Sequence, residues 1–198
     1  VIGTKYGSMT RSVRLVNDQR NPRKFPLATA SGLRRTLLEV GKRMDRSDDI
    51  LFLVLSSHGL EGAELTVENG GLPLKQLSGA ELADAIRDAG IHWKVVVISA
   101  CFAGGFIDAL KDEYSIVLTA AAADRTSFGC ADDRDLTYFG EAFFRDALPD
   151  ATSLREAFTR ARKHIDAREI REGVEPSDPQ AFFGSQIEKH MGQLGYPK

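Results

Sequence analysis

The 198-residue chain predicts an α/β fold: a doubly wound, mostly parallel sheet flanked by helices. Two observations carry this. Three continuous β-prone runs, Ile50–Ser56, 94–99 and 115–121, have the character of strands buried on both faces. The segments between and around them repeat apolar residues at helical spacing, and strands alternating with helices imply parallel crossovers.

In chain order, residues 12–16 alternate weakly like a strand. Leu33, Leu37, Val40, Gly41 and Met44 then recur at helical spacing behind an N-cap at Ser31. After the first buried run, residues 65–74 enclose Asn69-Gly70-Gly71 and read as a small hairpin. Ser78-x-x-Glu81 opens a helix as a capping box, and Gly90 is placed to end it. Residues 102–111 follow the second buried run as a helix. Residues 138–148 and 153–171 complete the helices, the last opened by Ser153-x-x-Glu156. No repeat, low-complexity tract or linker divides the chain, so residues 1–198 read as one domain.

Composition narrows the function. Hydrophobic residues make up 42% and charged residues 27%, a globular balance that excludes disordered, collagen-like and disulfide-scaffold classes. The longest unbroken apolar run, residues 50–55, is far short of the roughly 20 residues of a membrane span. Residues 1–46 carry 11 basic and three acidic groups. These are scattered and lack aromatic interleaving, so they read as a solvated face, not a nucleic-acid site. Val1 is not an initiator methionine and no signal-peptide pattern follows it, so the visible start reads as processed, truncated or incompletely seen. The residues assign no compartment.

In a doubly wound sheet, chemistry lies just beyond the carboxyl ends of the strands. There the chain carries Ser56-Ser57-His58-Gly59, Ser99-Ala100-Cys101-Phe102-Ala103-Gly104-Gly105 and Ala123-Asp124-Arg125-Thr126-Ser127. Cysteine attacks carbonyls as the thiolate, which a neighbouring imidazole and the N-terminus of a following helix both favour. Gly59 and Gly104-Gly105 leave room for a substrate against the backbone, and the N–H groups of Gly59 and Cys101 are candidates for an oxyanion hole. Alone, either residue reads as a buried cysteine or a satisfied core histidine. Their shared place at one sheet edge favours catalysis.

These residues resemble the legumain family of cysteine peptidases, with its caspase-like fold, and especially its bacterial members. The resemblance runs through Arg14-Leu15-Val16-Asn17-Asp18, Leu55-Ser56-Ser57-His58-Gly59, Ser99-Ala100-Cys101, Thr126-Ser127-Phe128-Gly129-Cys130, Thr137-Tyr138-Phe139-Gly140-Glu141 and Ser177-x-Pro179-Gln180. It implies a catalytic dyad of His58 and Cys101, an oxyanion site at the Gly59 and Cys101 amides, and a substrate pocket lined by Ser99, Ser127 and Glu141. Legumains carry an acidic residue where this chain has Ser99, so asparagine selectivity does not carry over directly. The resemblance implies that the family's first strand would precede the beginning of this chain, since no segment before Arg14 reads as that strand. The sheet position between residues 12–16 and Ile50–Ser56 is therefore expected to be empty or filled from elsewhere, including by a second copy in a homo-oligomer.

The remaining candidates are weaker. His92, His164 and His190 read as structural or solvated and do not space as metal ligands. Cys130 reads as a small hydrophobe ahead of a redox partner for Cys101, and Asp132, Asp133 and Asp135 as a solvated turn. No GxGxxG, GxxxxGK or GxSxG pattern occurs, and no cofactor is implied. The leading reading is a cysteine endopeptidase acting on peptide or protein substrates, with cleavage after asparagine slightly favoured. A peptide transpeptidase or ligase, and a catalytically degenerate interaction module, are the alternatives.

Overall fold

The computed structural model describes residues 1–21, 23–129 and 136–195. Its main sheet has four strands, β1 (Ile50–Ser56), β5 (Trp93–Ser99), β6 (Ser115–Thr119) and β7 (Gln180–Phe183), in the order β1-β5-β6-β7. The β1–β5 and β5–β6 pairs are parallel, and β7 closes the sheet antiparallel to β6. The register sets Ser56 opposite Ser99, so the segments leading to His58 and Cys101 leave the sheet side by side.

A smaller antiparallel sheet, β2 (Gly59–Leu60), β3 (Glu64–Leu65) and β4 (Leu77–Ser78), follows β1 directly. Asn69-Gly70-Gly71 lies in the connection between β3 and β4. The expected hairpin over 65–74 is thus displaced: its paired residues are Leu65 with Leu77 and Glu64 with Ser78, and the intervening segment is a loop.

Helices cover both faces of the main sheet. α2 (Ala30–Gly41) begins one residue after Thr29, whose hydroxyl accepts the Gly32 N–H. The cap is therefore Thr29 and not Ser31, because Thr29 is the last extended residue and Ser31 is already inside the first turn. α3 (Gly79–Asp88) has the full Ser78/Glu81 capping box, and Gly90 at φ +67° lets the chain leave it. α6 (Leu154–Glu172) starts at Ser153, whose side chain accepts the Glu156 N–H; the Glu156 carboxylate turns instead to Thr152.

Two cores result. Val95, Val97, Ile116 and Leu118 pack with Phe139, Phe143, Leu154, Phe158 and Ile187 on one face. Val96, Ile98 and Val117 pack with Leu37, Leu82, Ile86 and Phe106 on the other. Alternate residues of β5 and β6 thus serve opposite cores, which is why those runs are continuously apolar.

Several expectations are corrected. Residues 12–16 form no strand; Val16 N–H bonds to the Pro26 carbonyl, Val13 is exposed, and a weakly alternating segment needs a ladder partner to become a strand. Strand β1 is not buried on both faces: Val54 is 40% exposed, and among the described residues no strand pairs with its other edge. The helix expected from 102 begins as a 3-10 turn, Ala103–Gly105, continuing as α4 (Phe106–Leu110). That of 138–148 is a short α5 (Tyr138–Gly140) running into a π-helix over Glu141–Ala147. A first turn, α1 (Ile2–Lys5), and a last helix, α7 (Ser185–Gln193), have no counterpart in the sequence reading. No helix of the described residues is long and apolar enough to cross a membrane. Cys130, Asp132, Asp133 and Asp135 lie outside the described residues.

Candidate active site

The His58 segment is held from two sides. Ser57 N–H donates to the Ser99 carbonyl at 3.4 Å, tying the end of β1 to the end of β5. The Ser57 hydroxyl donates to the Thr66 carbonyl at 2.6 Å, and Thr66 N–H returns to the His58 carbonyl at 2.9 Å. The backbone is clamped while the imidazole stays exposed. Gly59 then passes so close to the second loop that a Cβ there would lie 1.8 Å from the Cys101 carbonyl oxygen and 3.1 Å from the Cys101 nitrogen. Only glycine permits that approach.

Cys101 is a half-buried free thiol two residues beyond β5. Its Sγ accepts the Ser127 N–H at 3.2 Å, donates towards the Ser127 carbonyl at 3.5 Å and lies 3.8 Å from the Ser127 hydroxyl, so the loop after β6 holds the thiol through both a donor and an acceptor. Next in the chain, Phe102 takes the left-handed conformation, φ +57°, and its N–H donates to the Arg125 carbonyl at 2.7 Å. Such a conformation in a bulky residue costs on the order of 1–3 kcal/mol, and strained turns of this kind concentrate at functional sites. The helix beyond the cysteine is a single 3-10 turn followed by five residues, so its dipole offers little to the sulfur.

The three pocket residues separate. Ser127 touches the sulfur directly. Ser99 is buried, its hydroxyl 2.7 Å from that of Thr137. Thr137 Oγ1 in turn accepts the Gly140 N–H at 3.0 Å, capping the turn that leads to Glu141. Ser99 therefore bears on the pocket through Thr137, which the sequence reading quoted within a segment but did not single out. The side chain of Glu141 is in a network of charges: Oε2 accepts from Arg168 at 3.0 Å and Oε1 from Arg145 at 2.5 Å. It sits at the first residue of the π-helix, a helix form that recurs at functional sites. Tyr138 N–H bonds to the Phe128 carbonyl, which joins this network to the Ser127 loop.

The other histidines lie elsewhere. His92 packs on Tyr114 with ring centroids 3.9 Å apart, His190 stacks on Trp93 at 4.1 Å, and His164 is exposed on α6. A cleft of about 360 Å³ opens at the opposite end of β5, lined in part by Arg87, Lys94, Lys111 and Asp112, and its three basic groups are each paired to a carboxylate. It is remote from the strand ends that carry His58 and Cys101. Among the described residues no three metal-ligating side chains converge.

A sheet of this order, with one histidine and one cysteine leaving adjacent parallel strands, can be compared with known proteins. The structure is similar to the crystal structure of caspase-1 from Spodoptera frugiperda, with a TM-score of 0.57 at 15% identity over 81% of this chain and 69% of that one. At that identity the likeness concerns the fold. No curated protein sequence matches the chain. The sequence model of the peptidase C13 family matches residues 22–189, a span that includes both strand ends and His58, Gly59, Ser99, Cys101, Ser127 and Glu141. The chain belongs to the peptidase C13 family, the legumain family of cysteine-type endopeptidases, built on a caspase-like fold.

Proposed function

We propose that the chain cleaves peptide bonds through a His58/Cys101 dyad, with selectivity for asparagine before the cut. The observation that carries the dyad is the packing of Gly59 against the Cys101 backbone, which sets the residue after His58 in contact with the nucleophile's own peptide unit. In this reading His58 takes the proton of the Cys101 thiol, and the sulfur attacks the substrate carbonyl. The amides of Gly59 and Cys101 receive the developing oxyanion. His58 then delivers the proton to the departing amine, leaving a thioester on Cys101. Water, deprotonated by His58, attacks that thioester, and the acid and the free thiol are regenerated. Ser127 N–H supports the anionic sulfur between turns of the cycle, as its 3.2 Å contact allows.

Glu141 supplies the acceptor for a substrate carboxamide, since a carboxylate has about four lone-pair sites and two guanidinium contacts leave capacity for an amide N–H. Glu141→Gln is expected to lower kcat/KM for asparagine peptides at least about tenfold, because the neutral amide is the weaker acceptor. A library of peptides varied at the residue before the cut checks this. Cleavage confined to apolar residues and unchanged in the variant would remove Glu141 from the site.

A further inference from the structure

Resting on the peptidase reading above, we propose that Arg168 is a specificity-determining residue: by engaging Glu141 it makes the pocket reject lysine and arginine before the scissile bond and accept neutral hydrogen-bonding side chains. Nothing in the spacing of residues 141 and 168 announces this pair, which forms only when α6 packs along the π-helix.

The geometry is specific. Arg168 is half-buried, its guanidinium stacked 3.5 Å over the Tyr138 ring. One nitrogen donates to Glu141 Oε2 at 3.0 Å, while Nε donates to Glu172 Oε1 at 2.9 Å. The Tyr138 hydroxyl donates to the other oxygen of Glu172 at 2.6 Å. That hydrogen bond, and then Arg168, hold the Glu172 carboxyl below its ordinary range, so the anchor of the guanidinium stays ionised near neutrality. Arg168 is thus fixed by the Tyr138 ring face and by the Glu172 carboxylate, which the Tyr138 hydroxyl itself holds, and cannot swing away from Glu141 without losing both contacts.

The consequence follows from charge. Glu141 and Glu172 face Arg145 and Arg168, so this set of side chains is neutral. The nearby hydroxyls of Ser99, Ser127 and Thr137 add no charge. A substrate cation entering beside Glu141 meets a carboxylate already compensated and a guanidinium next to it, and like-charge juxtaposition disfavours the wrong partner. Arg145 cannot impose this alone, because its side chain is 54% exposed and such surface pairs are weak. A carboxamide meets no such conflict.

The test uses matched peptides that differ only in asparagine, lysine or arginine before the cut, with kcat/KM measured for the wild type, Arg168→Gln, Arg168→Lys and the double variant Arg168→Gln/Glu141→Gln. The wild type is expected to favour asparagine over lysine. Arg168→Gln is expected to raise the lysine-to-asparagine ratio at least about tenfold, Arg168→Lys to keep it within about threefold, and the double variant to lose the gain. Should Arg168→Gln fold poorly, Glu172→Gln, which loosens the same guanidinium, is expected to shift the ratio in the same direction. A uniform fall for all three peptides would mean that Arg168 only supports the fold, and would overturn the proposal. So would a wild type that prefers lysine or arginine. Wild-type protein that cleaves no peptide and forms no thioester at Cys101 would overturn the peptidase reading, and this inference with it.

Discussion

Replacing Cys101 with alanine is expected to reduce peptide cleavage at least about a thousandfold while leaving the melting temperature within a few degrees of the wild type. The large effect follows from chemistry. Without the sulfur no thioester forms, and neither His58 nor the oxyanion amides provide a substitute nucleophile. The small structural effect follows from position, because Cys101 is half-buried on a loop and lies outside both hydrophobic cores. The one partner lost is the sulfur that accepts the buried Ser127 N–H, and one unsatisfied amide costs about 1–3 kcal/mol, a shift of a few degrees in a chain of this length. Measuring turnover of a cleavable peptide beside a thermal melt separates the two effects. Undiminished turnover in Cys101→Ala would place the nucleophile elsewhere.

Gly59→Ala is expected to lower kcat/KM by about 100-fold or more and to destabilise the fold by roughly 1–3 kcal/mol. A methyl at that position would stand 1.8 Å from the Cys101 carbonyl oxygen and 2.8 Å from its carbon, so the two loops must separate. Separation moves the Gly59 amide away from the position where the oxyanion forms, and carries His58 with it. The contact is backbone to backbone, so no side-chain rotation relieves it. Urea unfolding and steady-state kinetics on one preparation read both quantities. An unchanged kcat/KM would show that the Gly59 loop takes no part in catalysis.

The parts of the fold legible in the sequence are those set by local pattern. The runs at β1, β5 and β6 appear where expected, because continuous apolar segments have few alternatives to a sheet covered by helices. The Ser78/Glu81 capping box is equally local, with both of its hydrogen bonds within four residues. What was not legible depends on partners far along the chain. β7 is four half-buried residues that become a strand only beside β6. Residues 12–16 have the alternation of a strand but pair with none. A π-helix has no composition of its own, and the one over Glu141–Ala147 follows α5 without a break.

The candidate site divides the same way. His58, Gly59 and Cys101 could be found because each follows a continuously apolar strand of the sheet, and topology alone brings such strand ends together. Ser127 was found by resemblance, and its contact with the sulfur requires the loop after β6 to fold back. Thr137 and Arg168 could not be found from spacing. The first acts through a hydroxyl pair with Ser99, 38 residues away, and the second through an ion pair spanning 27 residues.

The central claim is that His58 and Cys101 act as one unit, and its most direct measurement is the rate at which iodoacetamide alkylates Cys101 near neutral pH, followed by mass spectrometry of the Cys101 peptide so that Cys130 is read separately. The account predicts stoichiometric labelling of Cys101 in the wild type, at least about tenfold slower labelling in His58→Ala, and competition by a cleavable peptide in the wild type. Equal, slow labelling in both proteins would contradict it and leave an α/β binding module in place of an enzyme.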